Sequence, residues 1–596
     1  MATQTLIAGG GFLLAETAPH DIHTPEDFTD EQRLLASTIR DFVAQEVLPH
    51  TEAIEAKEPE VIPQLLKKAG EIGLLSIEVP QEYGGVGMGM TSGMLLMESA
   101  AWGGGSFLTS IADHVGIGTL PLVYSGSASL RQRYLPQLAS GAKLGCYCLT
   151  ESQSGSDALA AQTTAVLSAH GTHYVLNGAK HFITNGAFSD LYTIFAKVDK
   201  TLFTAFVVER QTPGLSLGKE EHKMGIIGSS TCPVVLENVH VPVDNVLGEV
   251  GAGHRVAFNI LNVGRLKLAA GCLGAMKVAM AQAIPYAKQR QQFGRAIASF
   301  GLIQQKIADM VSKTYVLESL VYRTTGMIEA RLATLDPTAS DYDTHVIKSI
   351  EEYAVECSIA KVFGSEMLDF VVDEMVQIYG GYGFIEEFPA ARAYRDARIN
   401  RIFEGTNEIN RLLIPDTLMR RARRGQLPLM EAVQAVSKNL LAPLPLLLDH
   451  GDAPLQVEGQ LLERSKKALL LCAGMAVQAF DTEIAEQQEV LGLLADMAIA
   501  IYAAECTLLR TLKHLASHNG NADQLRLDIT RVWCRALPEQ VERLGSTVLA
   551  ATAEGDALHT PLAALKKLTR STPLDSVALQ RRIAAAAIEA ERYPPG

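Results

Sequence analysis

Residues Tyr379 to Arg411 read YGGYGFIEEFPAARAYRDARINRIFEGTNEINR. The stretch combines paired glycines, aromatic residues and several arginines with one carboxylate, Glu404, that directly precedes Gly405 and Thr406. Thr406 or Asn407 can cap a following helix, and Gly405 permits a tight backbone path that would direct Glu404 away from that helix. A glutamate before a helix is more often a solvated partner of the helix dipole. The stretch alone therefore leaves the role of Glu404 open.

Hydrophobic periodicity on either side of this stretch divides the chain into segments. The three- and four-residue spacing of amphipathic helices precedes residue 146 and returns after residue 253. Between them, short β-branched and aromatic runs alternate with turn signals such as Asn185-Gly186, which predicts a β domain. The predicted segments are an N-terminal extension (1–27), a helical domain (28–146), a β domain (147–252), a helical bundle (253–424), a linker (425–450) and an additional helical domain (451–596).

The composition limits the function classes. A net charge of −14 and a pI near 5.6 argue against nucleic acid as a partner, because nucleic-acid binding rewards clustered Lys and Arg. The eight cysteines include no CxxC pair, so we predict a reducing compartment and no metal site. No segment clearly spans a membrane, since the most apolar late stretch, Leu491 to Leu509, is interrupted by Asp496 and Glu505. Because no Lys or Arg precedes Arg33, we expect a cytoplasmic bacterial protein, with association at the membrane periphery left open.

Four blocks of sequence lie in order along the chain. They are CYCLTESQSGSD (Cys146 to Asp157); KHFITNG (Lys180 to Gly186); EHKMGIIGSST (Glu221 to Thr231) with NVGRLKLAAG (Asn262 to Gly271); and YAKQRQQFGRAI (Tyr286 to Ile297) with the stretch from Tyr379 to Arg411. These blocks resemble motifs of the acyl-CoA dehydrogenase family, and the resemblance covers Phe28 to about Arg424. It implies an N-terminal all-α domain, a middle β-barrel or sandwich domain and a C-terminal four-helix bundle. The additional C-terminal α-helical domain is similar to that of the extended, very-long-chain subgroup.

The resemblance implies FAD-dependent α,β-dehydrogenation of acyl-CoA thioesters, as in fatty-acid β-oxidation. Glu404 would remove the α-proton while hydride leaves the β-carbon for flavin N5, and electrons would pass to an electron-transferring flavoprotein. The length and the additional domain favour a long acyl chain and a homodimer. An acyl-CoA oxidase and a non-catalytic assembly protein on the same fold are the alternatives.

The resemblance also implies roles for individual residues. Phe182 would pack on the flavin ring, Thr184 would bond flavin N5, and Arg290 would pair with the FAD diphosphate. Gly380 and Gly381 would approach the FAD of the neighbouring subunit. The full set of implied cofactor-binding residues is Tyr147, Leu149, Thr150, Gly155, Ser156, Phe182, Ile183, Thr184, Arg290, Phe293, Phe300, Gly301, Gln377, Ile378, Gly380, Gly381, Thr406 and Glu408. The implied substrate-binding residues are Ser156, Asn262, Arg265 and Gly405.

Four positions bear on the details of the resemblance. Isovaleryl-type relatives place the base directly before the arginine that is Arg265 here; this chain has Gly264 there, so the resemblance assigns Glu404 as the base. Ser152 replaces the usual proline of the TEPxxGSD segment, which leaves its contact role open. Gly116 and Gly118 fall near the end of the family's acyl tunnel, where small residues would permit a long chain, although isolated glycines are more often packing positions.

Overall fold

The computed structural model describes residues 6–339, 341–439, 447, 454–518 and 523–595. Within these residues the domains follow the predicted order of helical, β, helical and helical. Residues 440–446 and 448–450 of the predicted linker lie outside the described residues.

The first helical domain begins at a capping box on Thr29. The Thr29 hydroxyl accepts a hydrogen bond from the Gln32 N–H at 3.2 Å, and the Gln32 side chain accepts one from the Thr29 N–H at 3.0 Å. This reciprocal pair satisfies two N–H groups that the helix cannot bond internally. The helices are α1 (Asp30–Phe42), α2 (Thr51–Glu55), α3 (Val61–Glu71), α4 (Met90–Ala100), α5 (Gly105–Ala112), α6 (Leu120–Ser125) and α7 (Ala128–Ala139).

The β domain has its own apolar core. Its strands are β1 (Gly145–Cys148), β2 (Thr164–Leu167), β3 (His173–Thr184), β4 (Leu191–Val198), β5 (Leu202–Glu209), β6 (Leu215–Leu217), β7 (Thr231–Pro242) and β8 (Val246–Leu247). In the described chain these eight form one mixed sheet in the order β6-β7-β3-β2-β4-β5-β8, with β1 parallel to β4. Because β1 pairs with β4 from Gly145 onward, the sheet begins two residues before the predicted boundary at residue 147.

The second helical domain is a bundle of long helices. Its elements are α8 (Gly253–Gln289), the short strands β9 (Gln291–Gln292) and β10 (Arg295–Ala296), α9 (Gly301–Leu332), α10 (Tyr342–Glu352), α11 (Ala354–Tyr379), α12 (Pro389–Ala397) and α13 (Asn407–Arg423). Helices α8, α9 and α11 pack against one another, and α13 packs on α11 to complete a four-helix arrangement.

The additional helical domain packs along α9. Its elements are α14 (Leu429–Lys438), α15 (Gln456–Phe480), α16 (Gln488–Ser517), α17 (Gln524–Thr552), α18 (Asp556–Thr569) and α19 (Ser576–Ala590). Helix α14 lies in the range predicted as a linker, and its Val433 packs closely on Gly474 of α15. Buried ion pairs join α16 to α9, with Arg323 and Glu505 at 3.2 Å and Glu318 and Arg510 at 2.7 Å.

The described part of the N-terminal extension, residues 6–27, contacts both the bundle and the additional domain. The Gly10 N–H donates to Glu356 Oε1 of α11 at 2.7 Å, and the Thr17 hydroxyl donates to Glu505 of α16 at 3.3 Å. Phe12 is fully buried, with its ring centroid 4.7 Å from that of Tyr502. The extension is therefore part of the folded core.

Three described helical segments are long and apolar enough to cross a membrane, judged by length and composition alone. They are Gly253–Gln289, Gln456–Glu486 and Gln488–Ser517, and their most apolar windows are 61%, 39% and 83% buried within the protein. The last contains Leu491 to Leu509, the stretch that Asp496 and Glu505 interrupt.

Candidate active site

Glu404 lies in a short loop between α12 and α13, and the loop has an unusual backbone. Glu404 has φ 57° and Gly405 has φ 80°, so two consecutive residues adopt the left-handed region. That conformation is costly for a non-glycine residue and persists where surrounding contacts enforce it. Thr406 then caps α13, because its hydroxyl accepts from the Ile409 N–H at 3.3 Å, as predicted.

Buried donors hold the carbonyl groups of this loop. Arg265 Nε donates to the Glu404 carbonyl at 3.2 Å, and Lys361 Nζ donates to the Gly405 carbonyl at 2.7 Å. Asn410 Nδ2 donates to the Gly405 carbonyl at 2.8 Å and to the Thr406 carbonyl at 3.1 Å. Since the carbonyls face these donors, the loop is fixed from its inner side.

Among the described residues, no hydrogen bond joins the side chain or the N–H of Glu404 to those donors. Among the described residues, Glu404 Oε2 has no hydrogen-bond partner and is shielded from solvent. No described group accepts a hydrogen bond from the Glu404 N–H. Burial raises the pKa of Glu404 to about 7, although Arg265 and Lys361 oppose the rise. A carboxyl with that pKa can act as a base near neutral pH.

A largely apolar cavity of about 410 Å³ opens beside Glu404. One face of α8 forms a wall along it, through Gly264, Lys267, Gly271, Ala275, Val278 and Gln282. These residues recur every three or four positions, which is the spacing of one helix face. Helices α5 and α12 contribute further residues to the wall, and the rest comes from other helices and loops.

Gly264 makes room for the Glu404 carboxylate. A β-carbon at Gly264 would lie 2.6 Å from Glu404 Oε2. Beside it, Arg265 is buried and bonds to Asn262 Oδ1 at 2.9 Å as well as to the Glu404 carbonyl. Of the four predicted substrate-binding residues, Asn262, Arg265 and Gly405 thus lie together at Glu404, whereas Ser156 is exposed in the loop after β1.

The two glycines singled out near the acyl tunnel differ in their surroundings. Gly116 lines the cavity, and a β-carbon there would meet only Lys267 Cδ at 3.6 Å. Gly118 packs against the backbone of Gly145, whose carbonyl oxygen would lie 2.6 Å from an added β-carbon. Asp113, which also lines the cavity, is buried, and burial together with the charge of Glu404 raises its pKa well above the usual range.

The predicted flavin-facing residues cluster at the end of β3. A bulge between Lys180 and Ile183 interrupts the pairing with β7, and Phe182 there has φ 57° and is 63% exposed. Thr184, two residues later, lines the cavity that holds Glu404, whereas Ile183 is buried. The bulge therefore presents an aromatic face beside the cavity.

A buried ion pair joins β3 to the sequence block from Cys146 to Asp157, the first of the blocks that resemble the family's motifs. Lys180 Nζ lies 2.7 Å from Glu151 Oε1, and Lys180 is fully buried. The Thr150 carbonyl accepts from the His181 N–H at 2.9 Å, so Thr150 runs beside Phe182. Gly155 and Ser156 are exposed nearby, while Tyr147 and Leu149 are buried under the loop.

The other predicted cofactor residues form a second, exposed group at the far end of α8. Arg290 lies over the Tyr382 ring at 5.6 Å, and Phe293 is 92% exposed with its ring 6.0 Å from that of Phe300. Gly301, Gln377, Gly380 and Gly381 are exposed around them, and Ile378 is buried. This group and the Glu404 cavity are separate within one chain.

These residues fit an FAD cofactor. Phe182 offers an exposed aromatic face, Thr184 offers a hydroxyl group from the wall of the cavity that Glu404 also lines, and Arg290 is a permanent cation on open surface. No neighbouring atom lies within 4 Å of a β-carbon built on Gly380 or Gly381, so a large planar group could approach that backbone closely. Thr406 and the exposed Glu408 border the loop of Glu404.

This arrangement defines a flavin-dependent dehydrogenase class, and comparison with known proteins identifies its family. Three family profiles match in order: acyl-CoA dehydrogenase N-terminal domain (residues 29–142), middle domain (146–239) and C-terminal domain (251–419). A further profile, also described as acyl-CoA dehydrogenase C-terminal domain, matches residues 464–567 of the additional helical domain. The chain belongs to the acyl-CoA dehydrogenase family.

Individual relatives agree with this assignment. A probable acyl-CoA dehydrogenase of Bacillus subtilis is 47% identical over 98% of both chains. The human very long-chain specific acyl-CoA dehydrogenase is 36% identical over 78% of this chain and 72% of its own. The crystal structure of an acyl-CoA dehydrogenase complexed with FAD from Bacillus anthracis matches with a TM-score of 0.96 and 47% identity, covering 98% of this chain and all of that one. The predicted fold, the FAD cofactor and the enzyme class are thereby confirmed.

The sequence analysis missed Lys361, Asn410 and Asp113. A single lysine inside the apolar run from Ser358 to Phe363 is a signal that could have identified Lys361, because a cation in a core persists only with partners. Nothing in the local pattern distinguishes Asn410 or Asp113 from ordinary helix residues.

Proposed function

We propose that Glu404 is the base that removes the α-proton of a bound acyl-CoA thioester. The observation that carries the proposal is Glu404 Oε2, which is shielded from solvent and has no hydrogen-bond partner among the described residues, in a side chain that lines an apolar cavity. FAD, when bound, supplies the hydride acceptor. The Glu404 N–H, which has no acceptor among the described residues, would donate to the thioester oxygen as negative charge develops there.

Glu404→Gln tests the base assignment. The amide keeps the shape of the side chain but cannot take a proton, so palmitoyl-CoA should no longer bleach the flavin under anaerobic conditions. Glu387→Gln, an exposed position nearby, is the matched control and should bleach at the rate of the unaltered enzyme. A Glu404→Gln enzyme that binds FAD and bleaches equally fast would refute the assignment.

We further propose that the acyl group is long. The cavity wall on α8 runs from Gly264, beside Glu404, to Gln282, a distance of about 27 Å at the helical rise. A staggered acyl chain advances roughly 1.3 Å per carbon, because its bonds of about 1.5 Å are inclined to its axis. The small side chains of Gly271 and Ala275 leave this path open.

Ala275→Phe tests the path of the chain. Position 275 lies about 16 Å along α8 from Gly264, so a phenyl ring there should obstruct long chains and spare short ones. We expect palmitoyl-CoA to lose at least tenfold in the rate of flavin reduction while butyryl-CoA retains its rate. Equal losses for both substrates, or for neither, would contradict the proposed path.

As electron acceptor we propose an electron-transferring flavoprotein, which rests on the family resemblance. The discriminating measurement is the rate at which oxygen reoxidises the acyl-CoA-reduced enzyme. Slow reoxidation by oxygen together with fast reoxidation by the flavoprotein is expected, and fast reoxidation by oxygen would identify an oxidase.

A homodimer is the proposed assembly. Large apolar side chains are exposed together with the second group of predicted cofactor residues, including Phe293 (92%), Phe384 (86%) and Leu302 (76%). Such a patch is typical of an interface. Sedimentation velocity should give the mass of a dimer, and Phe384→Asp should shift it toward the monomer with loss of FAD; a monomeric unaltered enzyme that holds FAD would exclude the proposal.

A further inference from the structure

We propose that Lys361 is a positioning residue for the reaction, which holds the Glu404 loop in its unusual backbone conformation and supplies a cation that favours the ionised base. The inference rests on the proposed role of Glu404. It concerns a residue on another helix, 43 positions earlier in the chain.

Lys361 joins α11 to both sides of the loop. The side chain is fully buried, and its Nζ donates to the Gly405 carbonyl and to Asn407 Oδ1, each at 2.7 Å. Asn407 in turn donates to Ser365 Oγ at 3.0 Å and to Glu366 Oε1 at 3.1 Å. One ammonium group therefore anchors the residue after Glu404 and the first residue of α13 to the same helix.

The anchored carbonyl determines where the reactive groups point. Glu404 and Gly405 are both left-handed, their carbonyls accept from the buried donors Arg265 and Lys361, and Glu404 lines the cavity. If the Gly405 carbonyl lost its cation, the loop could relax toward an ordinary backbone conformation. The N–H and the carboxylate would then leave the positions that the reaction needs.

The charge of Lys361 acts on Glu404 as well. Arg265 and Cys272 from α8 face Lys361, as do Glu404 and Glu408 from the loop and α13. Burial lowers the pKa of Lys361 to about 8, so the group is charged at neutral pH. Such a buried cation is unfavourable unless nearby dipoles and charges compensate it.

The groups that face Glu404 come from four elements. Arg265 of α8 and Lys361 of α11 lower the pKa of Glu404, and both oppose the effect of burial. Asp113 follows α5, and Tyr147 belongs to β1; the charge of Glu404 raises the pKa of each. Removing the Lys361 charge should therefore make Glu404 harder to ionise.

Lys361→Met and Lys361→Arg form the test, with flavin reduction by saturating palmitoyl-CoA measured from pH 5.5 to 9 in the FAD-loaded enzyme. For Lys361→Met we expect a rate constant lower by about tenfold to a hundredfold, with a smaller change in KM, because the base is displaced while the acyl site is intact. The pH at which the rate reaches half its maximum should rise by roughly one unit. Lys361→Arg keeps the cation and should keep that pH.

Lys313→Met is the matched control. Lys313 is a partly buried lysine on α9 that lies over the Phe370 ring at 4.2 Å, and its loss should leave the pH dependence unchanged. A Lys361→Met enzyme that binds FAD and keeps the original half-maximal pH would overturn the proposal, as would equal shifts in the Met and Arg variants. If Lys361→Met does not bind FAD, Asn407→Ala, which removes the side-chain acceptor of Lys361, should still slow reduction, and an unchanged rate would refute the positioning role. The two proposals can fail independently. If Glu404 is not the base, the Glu404→Gln enzyme will still bleach the flavin; if only the role of Lys361 is wrong, it will not.

Discussion

A β-carbon on Gly264 would lie 2.6 Å from Glu404 Oε2 and 3.0 Å from Glu404 Cδ. The Glu404 carboxylate therefore occupies the space that any side chain at position 264 would enter. The resemblance places the base of isovaleryl-type relatives at this position. In this chain the two base positions exclude each other sterically.

Gly264→Ala should impair catalysis without unfolding the enzyme. The new methyl group would displace a flexible carboxylate, and a displacement near 1 Å can cost about a hundredfold in rate. Stability should hold, because alanine is favoured over glycine in a helix by about 1 kcal/mol. Flavin reduction and thermal unfolding measure the two effects. Gly492→Ala, where the β-carbon meets no atom within 4 Å, is the control; reduction as fast in Gly264→Ala as in this control would show that the space is not shared.

The rate of flavin reduction should rise with pH through about 7. Burial raises the pKa of Glu404 to about 7, and only the ionised form can accept the α-proton. The rate should therefore be low near pH 5.5 and reach a plateau above pH 8. Stopped-flow reduction with saturating acyl-CoA tests this, and a rate that falls over the same range would contradict a carboxylate base.

The sequence predicted those features of the fold that depend on the local residue pattern. The cap of α13 depends on neighbouring residues only, and Thr406, one of the two predicted cap residues, provides it. The order of the domains follows from periodicity in the same way. Glu404 itself needed the family resemblance, since its local pattern is also that of an ordinary helix N-terminus.

Contacts between distant segments could not be predicted from one sequence. Lys361 meets Gly405 only because α11 packs against the loop, and the left-handed conformation of Glu404 has no residue-type signal. Lys180 and Glu151 belong to two separate predicted blocks, and only strand pairing brings their charges together. The helix α14 was predicted as a linker because prolines flank it.

Glu151→Gln should destabilise the β domain. It removes the only carboxylate hydrogen-bonded to the buried Lys180 ammonium in the described residues and leaves neutral acceptors such as the Leu149 carbonyl at 3.2 Å. Removing one member of a buried ion pair costs about 3–5 kcal/mol. Urea unfolding measures the loss, and FAD content should fall with it, because the pair connects Thr150 with Phe182.

Glu46→Gln is the control for that measurement. Glu46 pairs with Lys68 at 2.6 Å, but the two side chains are 37% and 49% exposed. An exposed pair contributes about 0–1 kcal/mol. Equal losses in the free energy of unfolding for the two substitutions would show that burial does not increase the contribution of the Lys180 pair to stability.

Arg510→Met should lower the stability of the bundle and the additional domain together. Arg510, on α16, is 1% exposed. It pairs with Glu318 of α9 at 2.7 Å and with Glu26 of the N-terminal extension at 2.8 Å, so it connects three parts of the chain. Without the guanidinium, two carboxylates lose a charged partner, and we expect a loss of about 3–5 kcal/mol. Arg420→Met, which removes an exposed pair with Asp416 at 3.7 Å, should cost less than about 1 kcal/mol.

Urea unfolding followed by far-UV circular dichroism should show one transition displaced to lower urea, because these ion pairs are shared between the domains. Two separate transitions, or an unchanged midpoint, would mean that the additional domain is held by its apolar contacts alone.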